Sequence, residues 1–206
     1  LYTSPHIKEF GERIRINGEQ VNESFVIDFV ERTKSLYEKI QPSFFELTVA
    51  MAFEYFAKEK VDIAIIETGL GGRLDSTNII SPILSVITNI GYDHMNLLGN
   101  TLPEIAWQKA GIIKKDTPLV IGEILPVTKN VFVKEANEKD APVYFTQSRY
   151  MVEYIESTGN LLFCNVRDIK SHAVENLRLD LNGIYQAKNV CTVLCAIDQL
   201  RLQGYN

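Results

Sequence analysis

Between Asn22 and Ile40 the apolar residues fall at Phe25, Val26, Phe29, Val30, Leu36, Tyr37 and Ile40, a one-sided stripe that predicts an amphipathic helix. Ser43-Phe44-Phe45-Glu46 has the spacing of a capping box and predicts a second helix running to about Lys60. Its apolar residues (Phe44, Phe45, Leu47, Val49, Ala50, Met51, Phe53, Phe56) cover most of its sides, so heavy burial is expected. Continuous apolar runs then predict strands at Val61–Glu67, Ile83–Thr88, Leu119–Gly122 and Val143–Phe145. Helices fit between them at Thr101–Ala110, opened by a second capping box Thr-Leu-Pro-Glu, and at about Val127–Lys139. Beyond Thr146 the texture changes. Tyr150–Ile155, Leu161–Val166 and Leu177–Leu181 read as short antiparallel strands, the first two joined by Ser157-Thr158-Gly159-Asn160, and a last helix spans about Tyr185–Gln203. The expected fold class is α/β: a mostly parallel, Rossmann-like sheet flanked by helices, with a small antiparallel β subdomain at 147–183.

The most informative stretch lies where the first of these parallel strands ends. Ile65-Ile66-Glu67-Thr68-Gly69-Leu70-Gly71-Gly72-Arg73-Leu74-Asp75-Ser76-Thr77-Asn78 passes from an apolar run into an acid, three glycines, a cation, an acid and two hydroxyls. Open α/β sheets bind ligands at the carboxyl ends of their strands, which puts Glu67 where a metal or phosphate would lie. Gly69, Gly71 and Gly72 let the backbone turn sharply and approach a ligand. Three further segments carry candidate chemistry. Asp93-His94 follows the strand ending at Thr88 and suits metal ligation or proton transfer. Ser4, in Tyr2-Thr3-Ser4-Pro5-His6, offers a hydroxyl to a hard cation at what reads as another strand exit. Lys109 ends a helix, where a lysine ordinarily compensates the helix dipole.

Composition narrows the field. With 206 residues, 46% of them hydrophobic, the chain can build an ample core, and its net charge of −5 provides no basic face for nucleic acid or anionic lipid. No apolar run reaches the roughly 18 residues of a membrane span, and no signal-peptide pattern opens the chain, so a cytoplasmic location is expected. Cys164, Cys191 and Cys195 are too irregular for a disulfide framework. Cys191 and Cys195 share a helix face, but without a companion His/Cys cluster they read as core. Leu1 is not a methionine, and the chain reads as an excised middle piece.

In this order and spacing the four segments resemble folylpolyglutamate synthases, including the bifunctional dihydrofolate/folylpolyglutamate synthases of bacteria, within the Mur ligase superfamily. The resemblance covers nearly the whole chain and rests on Tyr2 to His6, Glu67 to Asn78, Asp93-His94 with Leu98-Gly99, and Lys109-Ala110-Gly111-Ile112-Ile113-Lys114. It implies an ATP-dependent ligase. ATP phosphorylates the carboxylate of a folate or of dihydropteroate, and L-glutamate attacks the acyl phosphate. By resemblance, Ser4, Glu67 and His94 are Mg²⁺ ligands. Lys109 matches a lysine that becomes carbamylated and positions metal and phosphate, so that it and His94 count as catalytic. Ser43, Phe44, Phe45 and Glu46, with Leu74, Asp75 and Ser76, match the pteroate site, and Asn189 matches an ATP contact. Residue chemistry alone leaves alternatives: Phe44 and Phe45 read equally as core, Glu46 as the back-bond of its cap, and Asn189 as helix surface. Oxygen-preferring Mg²⁺ does not by itself predict His94.

The resemblance also implies a phosphate-binding Gly-x-x-Gly-Lys-Ser loop before Leu1 and a further C-terminal domain. On that reading the chain is a central ATPase-type domain over 1–206, incomplete and not catalytically competent alone. A monomer is expected, with small-molecule partners only. Two other classes compete. An NAD-dependent oxidoreductase fails on Leu74 at the third glycine position and Thr88 where an acid should end the next strand. A non-catalytic folate- or nucleotide-binding module stays open. Against another Mur ligase acting on a cell-wall nucleotide stands the Leu-Asp-Ser-Thr-Asn tail.

Overall fold

Both predicted capping boxes close in the computed structural model, which describes residues 1–205. Ser43 Oγ accepts from Glu46 N (3.2 Å), and Glu46 Oε2 accepts from Ser43 N (2.7 Å). Thr101 and Glu104 repeat the exchange at 3.4 and 3.0 Å. Each satisfies two backbone groups that the first helical turn would otherwise leave unpaired. The described chain forms two units, one of residues 1–80 and one from Ser81 onward.

In the first unit a short hairpin of β1 (Arg15–Ile16) and β2 (Glu19–Gln20) leads into α1 (Glu23–Ile40) and α2 (Phe44–Glu59). Tyr2 sits at the centre, fully buried, bridging antiparallel to Ile14 and parallel to Ile66. Around it pack Val21, Phe25, Phe29, Val49, Met51 and Phe56. The stripe of α1 is used only over its first half. Phe25 and Phe29 are buried, while Leu36 and Ile40 are exposed. In α2 the expected heavy burial holds for Val49, Met51 and Phe56 but not for Ala50 or Phe44, which are exposed.

The strand predicted at Val61–Glu67 is corrected by the structure: no ladder forms there. The segment meets a neighbour only at Tyr2, whose N–H donates to Ile65 O (2.8 Å) and whose carbonyl accepts from Glu67 N (2.9 Å). One bridge cannot propagate the pairing that makes a strand, and Ile63 and Ile65 are exposed.

The second unit holds two sheets. β3 (Ser85–Ile87), β4 (Leu119–Ile121) and β5 (Val143–Phe145) pair parallel in that order. The connections carry α3 (Met95–Leu98), α4 (Leu102–Lys109) and α5 (Pro126–Asn137). Leu119, Val120 and Ile121 are all buried, which is what a central parallel strand requires. An antiparallel sheet of β6 (Tyr150–Thr158), β7 (Leu161–Asp168) and β8 (Val174–Leu179) follows, then α6 (Gln186–Leu202). β8 begins earlier than its predicted span. Arg149 ties this sheet to α6: it pairs with Asp168 (2.8 Å) and Asp198 (3.3 Å), and Tyr150 OH donates to the same Asp198 carboxylate at 2.8 Å. The three cysteines are buried and free, and burial pushes the Cys191 thiol up to about 11. They are core, as their surroundings predicted. No described helix is long and apolar enough to cross a membrane.

Candidate functional site

Glu67 and Ser4 are brought together by the Tyr2 bridge. With Tyr2 pinned between Ile65 and Glu67, the chain two residues on delivers Ser4 N to Glu67 Oε2 at 2.8 Å. Among the described residues the Glu67 side chain has no other hydrogen bond or ion pair, and the Ser4 hydroxyl has none. Glu67 is exposed and Ser4 half-buried, so two hard oxygen groups stand side by side at a solvent-facing chain exit. A divalent, oxygen-preferring cation fits that donor chemistry.

The glycine segment is organised by Asp75. Its carboxylate accepts from Leu70 N (2.8 Å), Thr77 N (2.9 Å) and Thr77 Oγ1 (2.5 Å), closing the loop on itself and capping a 3₁₀ turn at Ser76–Ile79. Asp75 is buried, yet Leu74 beside it is 90% exposed, an apolar side chain with no packing role in its own unit. Ser76 is half-buried. Of the three glycines only Gly71 needs a left-handed backbone (φ 67). Gly69 is required for another reason: a Cβ there would lie 2.6 Å from Phe45 Cε2. The Phe45 ring therefore rests on the loop backbone while its other neighbour is Tyr2, 6.2 Å between centroids.

Ser43 and Glu46 are held by their cap, and hydrogen bonds from Ser43 keep the Glu46 carboxyl below the usual range. Phe44 projects from the same turn toward Phe10 (6.1 Å, edge-on) and lies under the Arg13 guanidinium (5.2 Å). Arg13 carries no functional signal in the sequence, and His6 is visible there only as part of the Tyr2 to His6 segment. Arg13 Nε donates to His6 Nδ1 at 2.7 Å, which makes Nδ1 an acceptor and places the imidazole proton on Nε2. The alternation Arg13-Ile14-Arg15-Ile16 would have sent both arginines outward, so the pattern pointed away from a buried Arg13.

In the second unit His94 has a left-handed backbone (φ 49) at the start of α3, with its N–H bonded to Asp93 Oδ1 (2.9 Å) and its Nε2 3.6 Å from Asp93 Oδ2. Non-glycine residues seldom adopt that conformation, and it turns the exposed imidazole out of the helix. Lys109 is the last residue of α4 and half-buried, and no acid pairs with it among the described residues. Asn189 is exposed on the first turn of α6, its amide donating to Gln186 Oε1 at 2.9 Å. Next to it Lys188 pairs with Glu123 (3.1 Å), just past the carboxyl end of β4. Among the described residues no group of three or more His, Cys, Asp or Glu gathers as a metal cluster. Serine is outside that set, so the Ser4–Glu67 pair is not excluded by it.

Residues 20–197 match the family model described as the Mur ligase middle domain. The chain belongs to the Mur ligase family. Its similarity to particular Mur ligase relatives is consistent. It is 38% identical to a dihydrofolate synthase/folylpolyglutamate synthase of Bacillus subtilis (strain 168), across 98% of this chain and 49% of the relative. A folylpolyglutamate synthase of Thermotoga maritima superposes with a TM-score of 0.84 at 35% identity, over 96% of this chain and 46% of that one. A solved complex of such a synthase with AMPPCP and folate reaches 0.90 at 31% identity, over all of this chain (100%) and 52% of that one. The Mur ligase chain described here thus spans about half the length of these relatives.

Proposed function

We propose that this chain is the central, ATPase-type domain of an ATP-dependent ligase that joins L-glutamate to folate or to dihydropteroate. Residues 1–206 make up that domain and 147–183 its small antiparallel subdomain. A carboxylate oxygen of the folate attacks the γ-phosphorus of ATP, and ADP leaves. The glutamate amine then attacks the acyl carbon, and phosphate departs with one of the original carboxylate oxygens. The observation that carries this reading is the Ser4–Glu67 pair at the exit into an Asp75-ordered glycine loop, supported by relatives named as folylpolyglutamate synthases.

Ser4 and Glu67 are assigned as residues that hold Mg²⁺, and the resemblance assigns His94 the same role. When bound, the ion supplies positive charge that offsets the negative charge gathering on the transferred phosphoryl group. The Ser4 N–H holds one oxygen of the Glu67 carboxylate and leaves the other available to the ion. Lys109 as an ammonium would repel a cation. Carbamylated by CO₂, it presents two anionic oxygens on a long stem, and its lack of an acid partner leaves it free for that chemistry. Phe44, Phe45, Leu74 and Ser76 are assigned to the pteroate site. Ser43, Glu46 and Asp75 hold its two loops in shape through backbone bonds. Asn189 is assigned to the adenosine part of ATP; its amide N–H donates to Gln186, and among the described residues its oxygen accepts no hydrogen bond.

The dinucleotide alternative loses ground on geometry. Its glycine turn should open a long helix whose N-terminus faces the pyrophosphate, whereas this loop runs into the four-residue 3₁₀ turn Ser76–Ile79. Calorimetric titration with dihydropteroate, folate, ATP, NADH and a uridine-diphosphate-linked sugar separates the readings. Binding of a pteroate compound with no response to the sugar nucleotide or NADH supports the folate ligase; binding of the sugar nucleotide instead would move the chain to the cell-wall branch.

A further inference from the structure

Arg13 is a buried cation without a counter-ion. It is 8% exposed, yet among the described residues no carboxylate approaches it within ion-pair distance. Its side chain donates from Nε to His6, lies over the Phe44 ring and meets the Tyr2 phenol, and among the described residues no carboxylate takes either Nη group. Beside it lies a second anomaly. Tyr2 is fully buried, and its hydroxyl has no properly directed hydrogen bond. The guanidinium lies close to the phenol, and the carboxylates of Asp75 and Glu67 are within electrostatic reach of it.

A desolvated guanidinium is costly unless something accepts its protons. Here the protein supplies an imidazole that sets the orientation of Nε and an aromatic face under the plane. Beyond the Tyr2 phenol, the Nη edge has no acceptor among the described residues. Phe44 is 59% exposed on the same turn as Ser43, Phe45 and Glu46, so the guanidinium borders an accessible aromatic surface. The opposite charge is nearby but already engaged, since Asp75 is taken up by Leu70 and Thr77.

We propose that Arg13 is a ligand-contacting residue: its Nη groups donate to the acceptor edge, ring nitrogens or carbonyl oxygen, of a flat heteroaromatic substrate lying against Phe44. His6 is the positioning residue that orients the guanidinium, and the Tyr2 hydroxyl is the reserve donor behind it. The inference rests on the folate reading, which supplies a pterin as the flat ring.

The test is a cycle between protein and ligand. Dihydropteroate and an analogue in which a carbocycle replaces the acceptor-bearing ring are titrated against the wild-type protein, Arg13→Met and Arg13→Lys. Circular dichroism and thermal melting check that each variant is folded. Loss of a charge-assisted bond in a desolvated site should weaken dihydropteroate by about 10- to 100-fold in Arg13→Met. The carbocyclic analogue should bind both proteins alike, and ATP affinity should not move. Arg13→Lys, a point charge without the planar fork, should recover only part of the loss. Equal weakening of both ligands would make Arg13 a packing residue and overturn the proposal, as would no change in either. Failure of any pterin to bind the folded wild-type protein would bring down the folate reading itself, and Arg13's role with it. If Arg13→Met does not fold, the Arg13→Lys comparison decides: equal discrimination between the two ligands in Lys and wild type overturns the assignment.

Discussion

Replacing Gly69 by alanine tests whether the glycine loop is shaped by the aromatic turn that faces it. Gly69 does not have a left-handed backbone, so alanine incurs no dihedral strain there. The cost is steric alone. The new methyl would stand 2.6 Å from Phe45 Cε2 and 3.2 Å from Cε1, inside any normal carbon–carbon contact. Phe45 cannot simply swing away, because it is half-buried and also packs on Tyr2. Overpacking of this kind costs about 1–3 kcal/mol. In a Phe45→Ala background the clash disappears. Gly69→Ala should then be neutral, or stabilising by roughly 0.4–1 kcal/mol through the lower entropy of the unfolded chain. Urea denaturation of wild type, both single variants and the double variant measures the coupling. It should be followed by amide exchange within α2, since the chain's one tryptophan, Trp107, belongs to the other unit. An equal cost of Gly69→Ala in both backgrounds would refute the reasoning, as would no cost in either.

Glu67→Gln keeps an acceptor for Ser4 N but removes the charge, so activity of the intact enzyme should fall by about 10²–10³ while stability moves by no more than about 0.5 kcal/mol; wild-type turnover would make Glu67 a structural acid. Lys109→Ala should be nearly inactive and regain part of its activity with acetate, which occupies the position of the lost carbamate; full activity without added carboxylate would return Lys109 to a helix-end charge. Tyr2 and Tyr150 are both pushed up to about 12, chiefly by burial. Because the folded value lies above the unfolded one, near 10, their contribution is complete below that pH and is lost as pH rises toward the folded value. Stability should fall by on the order of 2 kcal/mol per tyrosine over this window; phenolate absorbance that titrates near 10 without unfolding would contradict the burial. Tyr150→Phe should cost about 1 kcal/mol through the lost bond to Asp198, whereas Tyr2→Phe removes a hydroxyl with no well-directed hydrogen bond among the described residues and should cost less.

The parts of the fold that were legible in sequence are those set by local chemistry. Ser43 with Glu46 and Thr101 with Glu104 announced two helix starts, because a cap needs only residues three apart. The run Leu119–Ile121 announced a buried parallel strand because both its faces are covered. The same logic failed at Val61–Glu67, since an apolar run specifies what can be buried and not which neighbour will pair with it. The stripe of α1 failed similarly at Leu36 and Ile40, which are exposed although they continue its apolar face. Around the candidate site, the Glu67 and Asp75 positions were visible as acids flanking glycines. That Asp75 would be spent on Leu70 and Thr77, and that Gly69 would be kept small by Phe45, depended on contacts no spacing encodes. Arg13 was hidden for a different reason: a charged residue in an alternating stretch predicts solvent, and only the fold shows it enclosed by Phe44, His6 and Tyr2.

The central claim is that a carboxylate is activated as an acyl phosphate before glutamate attacks it. Dihydropteroate labelled with ¹⁸O in its carboxylate, incubated with the intact enzyme, ATP and L-glutamate, tests this directly. One labelled oxygen should appear in inorganic phosphate for each amide formed, and the other should remain in the amide carbonyl. Amide formation that leaves the phosphate unlabelled would contradict the acyl-phosphate route and the function assigned to this chain.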